Sequence, residues 1–149
     1  MGQRIDNWQI AFQKAISKER VFQRGISDCG MFVLECISDY TNNNLYKKYK
    51  NKYTSLHQCI KLFKDNNIKG NNLNEYIINF FNQEFKKLHI NLAQRGDIVG
   101  FDSDEIAKIN NKKNSGFTVG IMCEGFGRFV MRNGYQDIPR ENLHMAWRV

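Results

Sequence analysis

Apolar residues recur along the first two-thirds of this chain at helical spacing, and along the last third in short Gly-bounded runs. Trp8, Ala11, Phe12, Ala15 and Ile16 fall on one stripe and predict a helix from about Trp8 to Lys18, with Asp6 or Asn7 as its cap. Phe32, Val33, Cys36, Ile37 and Tyr40 repeat the pattern after Asp28, predicting a second helix from Asp28 to Tyr40 with Asp28 at the N-cap. A third helix is expected over Leu45 to Lys64, broken near Tyr53-Thr54. A fourth is expected over Asn74 to Lys87, with Tyr76, Ile77, Phe80, Phe81 and Phe85 apolar.

After Leu92 the period changes. "RGDIVGF" reads as a Gly turn followed by a strand. "FTVGIMCEG", "RFVMRNG" and "HMAWRV" read as strands, joined at "EGFGR" and at "RNGYQ" with its Asn133-Gly134 hairpin signal. "FDSDEIAKINNKKNSG" is a long polar loop. Helices first and an antiparallel meander after is an α+β layout. The 149 residues, with no repeat or low-complexity linker, predict one domain, 1–149.

Charge adds one feature. The formal net charge is +7, and the segment from Leu45 to Ile90 holds nine lysines against three acidic residues. A basic face of this kind suits either plain solvation or an anionic partner such as nucleic acid, a membrane surface or an acidic protein. Tyr46, Tyr49, Tyr53 and Tyr76 are interleaved with the lysines at helical spacing, and no nucleic-acid-binding signature accompanies them. No apolar run reaches the length of a membrane span, and no signal-peptide core follows Met1.

The four cysteines, Cys29, Cys36, Cys59 and Cys123, include no CxxC pair, and no two histidines stand at metal-ligand spacing. No metal, cofactor or disulfide framework is therefore expected. Asp102, Asp104 and Glu105 imitate the start of a calcium loop but lack its glycine and its final glutamate. Cys36, Cys59 and Cys123 read as core. Cys29 stands apart, because it opens the second helix. The first turn of a helix favours an anion, which suits a thiolate nucleophile, and its free N–H groups suit an oxyanion hole. By itself a cysteine here reads first as a small residue at a crowded helix start.

The order of pieces resembles a known family. "VFQRGISDCGMFVLECI", then "RGDIVGF", "FTVGIM" and the terminal "AWRV" are similar to a small phage-encoded branch of the NlpC-type papain-like cysteine peptidases. The resemblance implies a papain-like NlpC-type fold, with N-terminal helices packed on a C-terminal antiparallel sheet and residues 45–90 as a basic helical insertion. It places Cys29 at the nucleophile position. It also implies a histidine at the start of the strand matching "FTVGIM", where this chain carries Thr118. A threonine accepts no proton near neutral pH. His57, His89 and His144 remain, and His144, at the start of the last strand, is the candidate base.

The expected function is accordingly a structural component of a phage virion, at the tail tip or hub, present in the host cytoplasm before assembly and contacting other tail proteins. The rival expectation is an active cysteine hydrolase of peptidoglycan. A third is a basic virion protein in contact with nucleic acid. Asp97 in "RGD" is expected as the exposed start of a strand, with the alternative that it orients a catalytic group.

Overall fold

The computed structural model describes residues 3–102 and 117–149. Helix α1 spans Trp8–Ser17, α2 Cys29–Tyr40, α3 Leu45–Tyr49, α4 Leu56–Asp65 and α5 Leu73–Glu84. Strands follow at β1 Lys86–Leu88, β2 Ile98–Asp102, β3 Phe117–Met122, β4 Phe126–Met131, β5 Gly134–Pro139 and β6 Met145–Arg148. The strands form one sheet in the order β1-β6-β2-β3-β4-β5, antiparallel at every step. The protein is α+β, with its helices packed on an antiparallel sheet. Of the expected polar loop, Phe101 and Asp102 belong to β2 instead, and the remainder, with Asp104 and Glu105 of the imitated calcium loop, lies outside the described residues.

Local chemistry sets the helix ends. Asp28 caps α2 by accepting the Met31 N–H at 2.9 Å, as its sequence position predicts. At α1, Asn7 occupies the cap position in a left-handed conformation (φ 57°) and its side chain makes no capping bond. The expected long third helix is two helices. Ser55 starts the second by accepting the Gln58 N–H at 3.2 Å. Between them the chain turns so that Tyr53 is buried and its hydroxyl donates to Asp28 Oδ2 at 2.6 Å. Asn72 caps α5, its Oδ1 accepting the Glu75 N–H, and Glu75 Oε2 accepts the N–H of the preceding Asn71.

Helix α5 stops at Glu84, short of the expected Lys87. Lys86, Lys87 and Leu88 leave it to pair with Arg148, Trp147 and Ala146 of β6. Phe85, buried at the switch, takes an extended conformation (φ −137°, ψ 155°). Strand β5 was not expected as a strand, because "GYQDIP" is mostly polar. It forms by pairing along its whole length with β4, from Gly134 opposite Met131 to Pro139 opposite Phe126.

The sheet buries both faces. Ile98, Val119, Ile121, Val130 and Trp147 join the helices in the main core, beside Phe12, Phe32, Ile37 and Tyr40. Val99, Phe101, Met122, Phe129 and Ile138 make a second, smaller core on the other face. Alternation along β3 divides its residues between the two. Glycine permits two close approaches. A Cβ on Gly100 would meet the Phe117 ring at 2.3 Å, and one on Gly120 would meet the Arg128 carbonyl oxygen at the same distance.

Asp97 is fully buried, which corrects the expectation of an exposed residue. Its carboxylate pairs with Arg4 and Arg148, each at 3.1 Å. It also accepts the N–H groups of Gln94 at 2.8 Å and Val149 at 3.1 Å. Arg4 further donates to the Val149 carbonyl at 3.3 Å. Asp97 therefore clamps the first described residues and the end of β6 to the start of β2, and the catalytic-orientation alternative has no support in these contacts.

A candidate ligand cleft at Cys29

The N-terminus of α2 opens into a cleft of about 950 Å3, walled by α4 and α5 on one side and by β3 and the β4–β5 hairpin on the other. The cleft exists because β3 and β4 pair only at one end. Ile121 and Met122 stand opposite Arg128 and Gly127, and beyond them the two strands separate. Cys29 sits where they part. The N–H groups of Val119, on β3, and of Gly30 are directed at its sulfur.

The electrostatics oppose a thiolate. Burial of the sulfur disfavours the charged form, and the neighbouring Asp28 carboxylate adds like-charge repulsion. The two N–H groups and, weakly, Arg24 act in the other direction. The balance pushes the thiol up to about 11. The residue as a whole is half-buried and borders the cleft. The position at a helix start predicted an acidic thiol, and the adjacent carboxylate with the burial reverses that expectation.

Asp28 is itself buried and held by three donors: the Met31 N–H, the Gly25 N–H at 2.8 Å and the Tyr53 hydroxyl. It is a structural anion at the cleft wall. Nothing in the sequence signalled the Tyr53 contact, which joins residues 25 positions apart.

Thr118 lines the cleft with Cys29. It stands opposite Phe101 in the β2–β3 register, so its side chain lies on the face of the second core, while Phe117 and Val119 face α2. None of the three histidines, all of them described, is among the residues lining the cleft. His57 is exposed on α4. His89 accepts the Asn91 N–H through Nδ1 at 3.2 Å. His144 is exposed just before β6, and its Nδ1 accepts the Asp102 N–H at 3.1 Å. The fold brings Cys29 and Thr118 to one cleft and leaves His144 outside its wall.

A family profile described as a domain of unknown function, DUF6950, matches residues 3–149. The chain belongs to the DUF6950 family. Comparison with curated proteins found no match, and neither did comparison with solved structures.

The other cysteines of this DUF6950 chain are Cys36, Cys59 and Cys123, all buried and all free thiols. Cys59 also borders the cleft. Among the described residues no group of three His, Cys, Asp or Glu side chains could hold a metal ion, and no helix is long and apolar enough to cross a membrane.

Sequence reasoning missed the mouth of the cleft. Phe22 lies there with the guanidinium groups of Arg24 and Arg132 over its ring, at 5.1 and 5.9 Å from its centroid. Arg132 belongs to the β4–β5 turn, so only the tertiary fold pairs it with Arg24.

Proposed function

We propose that this protein is a binding component of a phage particle, at the tail tip or hub, built on a papain-like NlpC-type fold whose cysteine site binds without hydrolysing. The phage setting and the NlpC-type ancestry rest on the resemblance of the Asp28-Cys29 helix start and the flanking strands. One observation favours binding over hydrolysis: the cleft at Cys29 is lined by no imidazole, and the residue aligned with the family's histidine is Thr118. A thiol without a base remains protonated at neutral pH. Losing one member of such a catalytic group costs several orders of magnitude in rate.

The experiment is direct. Purified protein is incubated with bacterial peptidoglycan and soluble muropeptides are measured, alongside Cys29→Ala. No release above the variant is expected. Release that disappears in Cys29→Ala overturns the reading in favour of an active cysteine hydrolase of peptidoglycan. That rival draws its support from the helix-start cysteine and the two N–H groups aimed at its sulfur.

A further inference from the structure

We propose that the Cys29 cleft takes a single-chain amphiphile with an anionic head, a long-chain carboxylate, its head at Arg24 and Arg132 and its chain along α4 and α5. The inference rests on the reading of the cleft as a binding site and names the ligand class for it.

The cleft floor along α4 and α5 is mainly apolar, with Asn66 and Asn74 among its residues. Leu62, Phe63, Ile77, Phe80 and Phe117 contribute to it, and its volume of about 950 Å3 is in the upper part of the range of small-molecule sites. The mouth is cationic. Arg24 and Arg132 stack on Phe22, and among the described residues neither forms a salt bridge with a carboxylate. The one carboxylate in the wall, Asp28, is buried and occupied by its three donors. An anion is therefore attracted to the mouth, and the floor removes an alkyl chain from water.

A peptide fits this floor less well. Its backbone N–H and C=O groups need partners once buried, and two of the β3 donors bordering the cleft are already engaged. The Phe117 N–H donates to Asn74 Oδ1 at 2.8 Å, and the Val119 N–H is directed at the Cys29 sulfur. The helical walls spend their backbone groups internally. An alkyl chain asks for no such partner.

The test is titration calorimetry of the full chain with dodecanoate below its micellar concentration, compared with dodecanol. The variants are Arg24→Gln, Arg132→Gln and Ile77→Trp, each checked for native circular dichroism. Expected is saturable binding of one dodecanoate per chain, at least about tenfold tighter than dodecanol. Arg24→Gln and Arg132→Gln should each weaken dodecanoate several-fold and leave dodecanol unchanged. Ile77→Trp should abolish both by filling the floor. Absence of saturable binding to the wild type overturns the proposal, as does equal affinity for the acid and the alcohol. So does stronger competition by a capped apolar tetrapeptide ending in glutamate, which would assign the cleft to a protein segment. Cys29-dependent peptidoglycan hydrolysis together with dodecanoate binding would overturn the proposed function and leave this inference standing.

Discussion

Asp28 and Cys29 share one helix start, where burial first and the Asp28 carboxylate second hold the thiol protonated. With the thiol pushed up to about 11, Cys29 should react slowly with iodoacetamide. At pH 8 the rate, read by peptide mass spectrometry, is expected to be roughly tenfold or more below that of a free cysteine, rising steeply only above about pH 10. Alkylation at the free-thiol rate would refute the electrostatic account. Asp28 is also the hub of three hydrogen bonds. Asp28→Ala strands the Gly25 N–H, the Met31 N–H and the Tyr53 hydroxyl, at a cost of about 2–4 kcal/mol in urea unfolding. Tyr53→Phe removes only one of these bonds and should cost about 1 kcal/mol. A cost for Asp28→Ala no larger than that for Tyr53→Phe would show that the hub is not structural.

The split between β3 and β4 makes the cleft, so the end where the strands remain joined is critical. Gly120 lies against the Arg128 carbonyl, and Gly25 is held at φ +82° with the Tyr53 carbonyl 2.0 Å from where a Cβ would sit. Gly120→Ala should force the strands apart and lower stability by about 2 kcal/mol or more. Gly25→Ala combines strain with a clash and should do at least as much. Gly125→Ala is the control. Its φ of +78° is strained, but no atom lies within 4 Å of an added Cβ, so it should cost only about 1 kcal/mol. Thermal unfolding ranks the three, and a control as damaging as Gly120→Ala would remove the packing argument.

Across the whole molecule, burial pushes up every cysteine thiol. Cys29 and Cys123 move to about 11 and Cys59 to about 12, while Cys36 rises further. A raised folded-state pKa means that the folded chain holds its protons longer than the unfolded one. The stabilisation is complete below the unfolded thiol pKa, near 8.5, and is lost as pH rises through the folded values. Stability should therefore fall between about pH 9 and 12. Replacing Cys36 by Ala should flatten the alkaline limb while lowering the plateau, and an unchanged limb would count against the thiols as its cause. The basic segment acts at the same scale. Lys47, Lys48, Lys50 and Lys52 are exposed, whereas Tyr49, Tyr53, Tyr76 and Phe81 between and beyond them are buried. Of the segment's tyrosines only Tyr46 is partly exposed, so the segment offers charge with little of the aromatic anchoring that supplies affinity. Reversing the four lysines to glutamate should leave the fold intact and abolish any salt-sensitive retention on an anionic matrix. Retention that survives the reversal would place the interaction elsewhere.

By itself the sequence determined the elements whose signals are local. The apolar stripe and Asp28 cap defined α2, apolar spacing marked the regions of α4 and α5, and Gly-bounded apolar runs marked β2, β3, β4 and β6. It also singled out Cys29, because a cysteine one residue past a cap is a local pattern. The tertiary structure alone decided the rest. Lys86–Leu88 became a strand because β6 offered an unpaired edge, and "GYQDIP" became one because β4 did. Burial turned Asp97 from a presumed surface residue into a clamp between distant parts of the chain. Contacts spanning tens of residues brought Tyr53 to Asp28, stacked Arg24 and Arg132 on one ring, and left His144 outside the cleft wall. Hydrophobic period and capping chemistry act over a few residues and so can be read along the chain. Strand pairing, desolvation and the meeting of charges depend on which segments pack together, and one-dimensional order does not contain them.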